Sequence, residues 1–202
     1  DKAPDLRGLA IKVLGVEGKK ELGDATTQDF LFVDNDTLPF RTPEEFVTFL
    51  QCAQNEATLP FTLLGRLGFR AFGLLRSLAT EIKGKRGSLL DLAYHTVAPL
   101  RLGPYAARLH LEPSHHASPH ARAGSDPDYL AQELGPRVRA GGISFTLSAQ
   151  LAESDAESVE DVSSRWSTPK LTLARLELVA DDPASAAGKR LASFVESLSF
   201  DP

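Results

Sequence analysis

Three polar residues that could do chemistry, Asp34, Asn35 and Asp36, directly follow an apolar run at 29–33. The run reads DFLFV and predicts a strand that is buried on both faces and could wall a pocket. An amide both donates and accepts hydrogen bonds, whereas a carboxylate only accepts them. Asn and Asp are also typical of plain turns, because their side chains bond to nearby backbone. Both readings, pocket and turn, are compatible with this sequence.

A second group with possible chemistry contains His115, His116 and His120. Imidazoles are common metal ligands. However, no carboxylate or cysteine stands at helical or hairpin spacing to complete a coordination shell, so we expect an exposed loop. The single cysteine, Cys52, lies on the apolar side of a predicted helix, which favours a buried thiol over a reactive one.

Composition places the chain among ordinary globular proteins and predicts one domain, 1–202, because 42% of its residues are hydrophobic and 24% charged. Basic residues are scattered except around Lys83, Lys85 and Arg86, and the net charge is −5, which argues against a nucleic-acid partner. No apolar run approaches the roughly 20 residues needed for a membrane span. Without a signal-peptide pattern, we expect a cytoplasmic protein.

The elements that must position these residues show both strand and helix periods. We predict strands at 8–16, 29–33, 97–102, 105–111, 143–151 and, with a bulge, 171–178. We predict helices after Thr42, across 61–82 with a kink or break, after Asp126 and after Asp182. This order predicts an α+β domain built on an antiparallel sheet or barrel.

Five motifs, in family order, resemble those of catalases. They are PDLRGLAIK at 4–12, TQDFL at 27–31, DPDY at 126–129 with the strand at 143–151, Trp166 and Pro169 with the strand at 171–178, and the helix from FVE at 194–196 to FDP at 200–202. TQDFL is similar to the small catalase-related haem peroxidases in particular. The resemblance implies a closed antiparallel β-barrel with surrounding helices, the cofactor haem b, and hydrogen peroxide or a lipid hydroperoxide as substrate.

The resemblance also suggests site residues. Asn35 by residue type, or Asp34 by position, matches the catalase asparagine that hydrogen-bonds peroxide. Phe46 falls where catalases place an aromatic ring against the distal haem face, although its spacing alone predicts a core phenylalanine. His95, followed by Thr96, is similar to a His-Thr pair in a hydrogen-bond network on the proximal side.

Two groups essential to catalases are expected outside this chain: the distal histidine before Asp1 and the iron-ligating tyrosine after Pro202. We therefore predict a domain truncated at both ends. Truncation would expose an apolar cavity and unpaired strand edges, which predicts a homo-oligomer. The first functional hypothesis is a haem catalase or peroxidase. The alternative is a haem-free catalase-like barrel that serves as a binding or assembly subunit.

Overall fold

The fold is built on one antiparallel sheet. The computed structural model describes residues 6–20, 23–55, 57–82, 88–115 and 128–199. Within these residues there are seven strands: β1 Gly8–Leu14, β2 Thr27–Val33, β3 Tyr94–His95, β4 Leu100–Leu102, β5 Tyr105–Pro113, β6 Ile143–Leu151 and β7 Leu171–Leu178. Their order across the sheet is β1-β2-β3-β5-β6-β7, and β4 forms a hairpin with β5. The predicted α+β class and antiparallel sheet are confirmed.

The sheet is curled into a half-barrel, with β1 and β7 at its two edges. Each pairing between neighbouring strands of the described residues is antiparallel. Within the described residues no pairing joins β1 to β7, so the closed ring implied by the resemblance is not complete in this part of the chain. The predicted motifs at 4–5, 126–127 and 200–202 lie outside the described residues.

The described residues include five α-helices, which are α1 Pro43–Ala53, α2 Leu59–Leu67, α3 Arg70–Ile82, α4 Tyr129–Ala140 and α5 Ala186–Glu196. The break predicted within 61–82 is confirmed at Gly68, whose φ of 56° lies in the left-handed region that favours glycine. Helix α1 starts as predicted, because the Thr42 side chain accepts a bond from the Glu45 N–H at 3.3 Å. The Glu45 carboxylate bonds to the N–H of Arg41, one residue earlier than a capping box requires.

The central strands β5 and β6 have two buried faces of opposite character. Their register pairs Leu109 with Ala149 on an apolar face. The other face places Arg108 opposite Gln150, and these side chains are only 2% and 9% exposed. The strand predicted from the alternation at 143–151 is confirmed, and both of its faces are covered.

Two further strand predictions have different outcomes. The bulge in β7 is confirmed, since the register with β6 skips Leu173 between its neighbours. The prediction that 29–33 is buried on both faces is wrong at Leu31, which is 57% exposed. On the same strand, Asp29 is almost fully buried, and its carboxylate accepts from the Lys12 ammonium at 2.6 Å across β1 and β2.

A second apolar cluster lies under the first three helices. Leu63, Ala71 and Leu74 are at most 1% exposed and pack with Phe40 and Cys52. The predicted burial of Cys52 is thereby confirmed. Within the part of the chain that the structure describes, no helix has the length and apolar content to cross a bilayer.

Adjacent leucines in α2 offer a matched test of this cluster. Leu63 is fully buried, whereas Leu64 is 37% exposed. We expect Leu63→Ala to lower the free energy of unfolding by at least about 2 kcal/mol, because it leaves a cavity. Leu64→Ala should cost under about 1 kcal/mol. Urea unfolding of the three proteins measures both values, and equal losses would show that α2 does not pack as described.

Candidate functional site

Three of the four residues suggested by the sequence line one polar cavity of about 320 Å³. They are Asp34, Asn35 and His95. The other residues lining this cavity are Asp36, Arg108, His110, Gln150, Arg165, Trp166 and Lys170. The cavity therefore combines two carboxylates and an amide from the loop after β2 with imidazoles and cations from the rest of the sheet.

Strand pairing explains why residues so distant in sequence meet here. Val33 at the end of β2 pairs with His95, and His95 pairs with His110. His110 in turn pairs with Ser148 of β6. These four residues form one row across four strands, and Asp34 is the next residue of the chain after Val33. The residues that directly follow β2 therefore lie beside His95 and His110.

Asp34 is fixed by bonds to the residue before β1. Its N–H donates to the Arg7 carbonyl at 2.9 Å, and its carboxylate accepts from the Arg7 N–H at 3.0 Å. The Arg7 guanidinium donates to the Tyr129 hydroxyl at 3.5 Å. This reciprocal pair extends the β1–β2 ladder and holds the loop that carries Asn35, which is 8% exposed. The loop is therefore a defined wall rather than a solvated turn.

His95 and His110 form a hydrogen-bonded pair, with their Nδ1 atoms 2.7 Å apart. One of these two atoms must donate and the other accept, so the two rings cannot both be protonated at Nδ1. Burial lowers the pKa of His110 to about 4, and Lys170 and His95 act in the same direction. His110 is therefore neutral at physiological pH. A neutral, oriented imidazole pair can accept or pass on a proton at the cavity wall.

Arg108 is the most deeply buried cation of the cavity wall. Its guanidinium donates to the carbonyl oxygens of Ser164 at 2.7 Å and Asp161 at 3.3 Å. It also lies 4.6 Å from the centre of the Trp166 ring, a cation–π contact. Trp166 donates its indole N–H to the Ser158 carbonyl at 3.1 Å. Burial lowers the pKa of Arg108, and these contacts compensate for the lost solvent.

Phe46 is not part of this cavity. It lines a separate, mostly apolar cavity of about 210 Å³ with Leu38, Phe40 and Val162. Its ring lies edge-on to Phe40 at 5.1 Å and it is 41% exposed. The contact of Phe46 with a haem face stays a prediction.

His115 is a residue that sequence reasoning placed wrongly. It was expected in an exposed loop, but its side chain is 8% exposed. Its Nδ1 lies 2.9 Å from the Ser144 carbonyl, and its Nε2 lies 3.2 Å from Asp91. Arg137 of α4 also bonds to Asp91, at 2.7 Å, so α4 is linked to Ser144 of β6 through Asp91 and His115. No local pattern could have shown this, because the partners come from three separate segments.

The expectation of an exposed loop also covered two further histidines. His116 and His120 lie outside the described residues. Among the residues that are described, no group of three or more His, Cys, Asp or Glu side chains is arranged to hold a metal ion.

The known proteins that resemble this chain are a catalase-related peroxidase and catalases. No protein-family model matches the chain. A catalase-related peroxidase from Mycolicibacterium paratuberculosis is 29% identical over 193 residues, covering 90% of this chain and 59% of that protein. The chain thus spans less than two thirds of that relative's length.

Solved structures show the same likeness at the level of the fold. A fungal catalase matches with a TM-score of 0.68 at 19% identity, over 92% of this chain and 40% of that one. Catalase A from Saccharomyces cerevisiae matches with a TM-score of 0.67 at 18% identity, over 92% and 42% of the two chains.

The low pKa of His110 makes stability depend on pH. An unfolded histidine titrates near 6.5, so this contribution to stability is fully present above that pH and is lost as the pH falls toward about 4. We expect the wild-type protein to lose up to about 3 kcal/mol over this window, and His110→Gln to lose correspondingly less. Urea unfolding across the window measures the difference. Identical pH slopes for the two proteins would contradict a neutral, buried His110.

Proposed function

We propose that the chain, which is similar to a catalase-related peroxidase and shares its fold with catalases, forms the barrel part of a haem-dependent catalase or peroxidase. Its substrate would be hydrogen peroxide or an organic hydroperoxide, including lipid hydroperoxides. The observation that carries the proposal is the cavity shared by Asp34, Asn35 and His95. A cytoplasmic location stays a prediction.

Each residue of the cavity has a distinct role in this proposal. Asn35 would orient the peroxide through its amide, which donates a hydrogen bond without gaining charge. Asp34, fixed by Arg7, would accept a hydrogen bond from the same substrate. The His95–His110 pair would hold or pass on a proton, since both rings are linked through their Nδ1 atoms. Each proposed role uses a side chain that lines the cavity.

The tyrosines among the described residues do not fit the iron of haem b. The Tyr94 hydroxyl donates to the Leu89 carbonyl at 2.6 Å, and burial, with Asp34 adding to it, raises the Tyr94 pKa to about 12. Tyr129 is occupied by Arg7, and Tyr105 is 52% exposed at the start of β5. We therefore propose that haem b is the cofactor of the complete enzyme and that its iron ligand lies outside the described residues.

The poor fit of the described tyrosines to a haem iron favours a second candidate function, which is a haem-free barrel that serves as a binding or assembly subunit. A chain that supplies no phenolate ligand can retain the fold while lacking redox chemistry. The two functions differ in one property, which is haem binding by the complete protein.

Absorption spectroscopy distinguishes the two functions. If the first is right, the protein isolated from its natural source carries haem b, shows a Soret band, and oxidises a dye in the presence of peroxide. If the natural protein lacks haem and does not gain activity when haem is added, the enzyme proposal is wrong and the subunit function stands.

Asn35 provides the residue-level test. In the haem-loaded protein, we expect Asn35→Ala to lower kcat/KM for hydrogen peroxide about 100-fold, because it removes a donor to the reacting oxygens. The matched control is Asn55→Ala, in the turn between α1 and α2, where the side chain accepts a hydrogen bond from the Ala57 N–H at 3.1 Å. Steady-state rates decide the matter. Similar rates for the two variants would exclude Asn35 from the reaction.

A further inference from the structure

The hydrogen-bonded pair His95–His110 has a direction, because only one of its two rings can donate. The Nδ1 atoms lie 2.7 Å apart, so one ring donates through Nδ1 and the other accepts. The ring that donates decides where a proton can enter or leave the pair. The other ring nitrogen of His110, its Nε2, is buried and has no partner in ordinary hydrogen-bond geometry among the described residues. The direction of the pair therefore depends on the group that faces this buried nitrogen.

Gln150 is a polar side chain in the right place to face His110 Nε2. In the register of β5 with β6, Ser148 lies opposite His110, and Gln150 lies diagonally from it on the same face. Diagonal neighbours on two antiparallel strands are within reach of long side chains. Gln150 and His110 also line the same polar cavity, and Gln150 is only 9% exposed. Its amide must therefore find its partners inside the protein.

The hydrogen bonds of Gln150 determine which end of its amide remains for the pair. The amide nitrogen donates to the carbonyls of Thr168 at 2.6 Å and Trp166 at 3.3 Å. These two acceptors match the two hydrogens of a carboxamide, so the amide oxygen is the group left for a donor on the sheet. Burial lowers the pKa of His110 to about 4, and hydrogen bonding to Gln150 opposes this shift, as an acceptor does.

We propose that Gln150 sets the tautomer of the pair by accepting a hydrogen bond from His110 Nε2. His110 then carries its proton on Nε2, its Nδ1 accepts, and His95 donates through Nδ1. The opposite tautomer would place a lone pair of His110 against the carboxamide oxygen. With its Nδ1 proton engaged, His95 gains or loses a proton at Nε2. Gln150 and His110 are thus positioning residues for His95, a role that rests on the proposed function, whereas the tautomer itself does not.

Two cations beside the pair are the groups that would favour the opposite tautomer. Arg108 Nε is also buried without a partner in ordinary geometry among the described residues, and Lys170 lowers the pKa of His110. However, the Arg108 guanidinium donates to two carbonyls of the segment between β6 and β7, and the Lys170 ammonium lies 2.6 Å from the Glu112 carboxylate. Both cations are held by other acceptors, which leaves the Gln150 oxygen as the partner that we assign to His110.

Nitrogen-15 NMR of the histidine-labelled chain tests this assignment without haem. Correlations between the ring nitrogens and the carbon-bound ring protons distinguish the two neutral tautomers. His110→Gln identifies the His110 signals among the five histidines. At neutral pH, where His110 is uncharged, we expect its Nε2–H form to exceed its Nδ1–H form at least about tenfold, because the opposite tautomer loses a buried hydrogen bond. A predominant Nδ1–H form of His110 would overturn the proposal, whether or not the complete protein binds haem.

Two substitutions separate the role of Gln150 in the pair from its role in the loop. Gln150→Leu removes the acceptor and the donors, so the preference for the Nε2–H form should fall at least about tenfold. Gln150→Glu keeps an acceptor but removes the donors to the loop, and it should retain the wild-type tautomer. Ser148→Ala is the matched control, because Ser148 lies opposite His110 and has no assigned role in the pair.

Two results from these variants would show that Gln150 does not set the tautomer. One is an unchanged His110 tautomer in Gln150→Leu, and the other is a changed tautomer in Gln150→Glu. If Gln150→Leu does not fold, the wild-type spectrum and the Gln150→Glu spectrum still decide the matter.

Discussion

A guanidinium buried in the middle of a sheet is the constraint on which the candidate site depends. Arg108 is 2% exposed, and a charge so placed is costly unless polar groups surround it. Here the compensating groups come from the segment between β6 and β7, through carbonyl oxygens of Ser164 and Asp161. The segment must therefore fold back over the polar face of the sheet. In doing so it brings Arg165 and Trp166 to the cavity.

Gln150 performs the same task from the neighbouring strand. It lies opposite Arg108, and its amide nitrogen donates to the carbonyls of Thr168 at 2.6 Å and Trp166 at 3.3 Å. Both side chains thus bind one loop through backbone acceptors, which any residue can supply. This explains why the polar face is buried while its loop sequence, rich in serine and acidic residues, is typical of a solvated connection. Glu157 in that loop is in fact 5% exposed.

Local chemistry determined which features could be predicted from sequence. The break at Gly68, the bulge at Leu173, the start of α1 and the burial of Cys52 each follow from a few adjacent residues. The grouping of Asp34, Asn35 and His95 in one cavity was not predicted, because the resemblance to catalases assigns Asn35 or Asp34 to the peroxide and His95 to the proximal side. The burial of His115 and of the polar face of β6 could not be predicted, because both depend on partners from distant segments. Alternating polarity predicts a solvated face only when no loop covers it.

The two faces of the central strands differ in character. One face of β5 and β6 packs in the apolar core. The other face lines the polar cavity, which is covered by the segment between β6 and β7 that Arg108 and Gln150 bind. The site residues reach that cavity through the row Val33–His95–His110. The polar cavity therefore depends on a loop that has no regular secondary structure of its own.

A double-mutant cycle on Arg108→Met and Gln150→Leu tests this dependence most directly. If the two side chains hold one loop as a unit, their losses in unfolding free energy should be non-additive by at least about 1 kcal/mol. If the two losses in unfolding free energy add to within about 0.3 kcal/mol, the two side chains act independently, and other interactions hold the loop over the polar cavity.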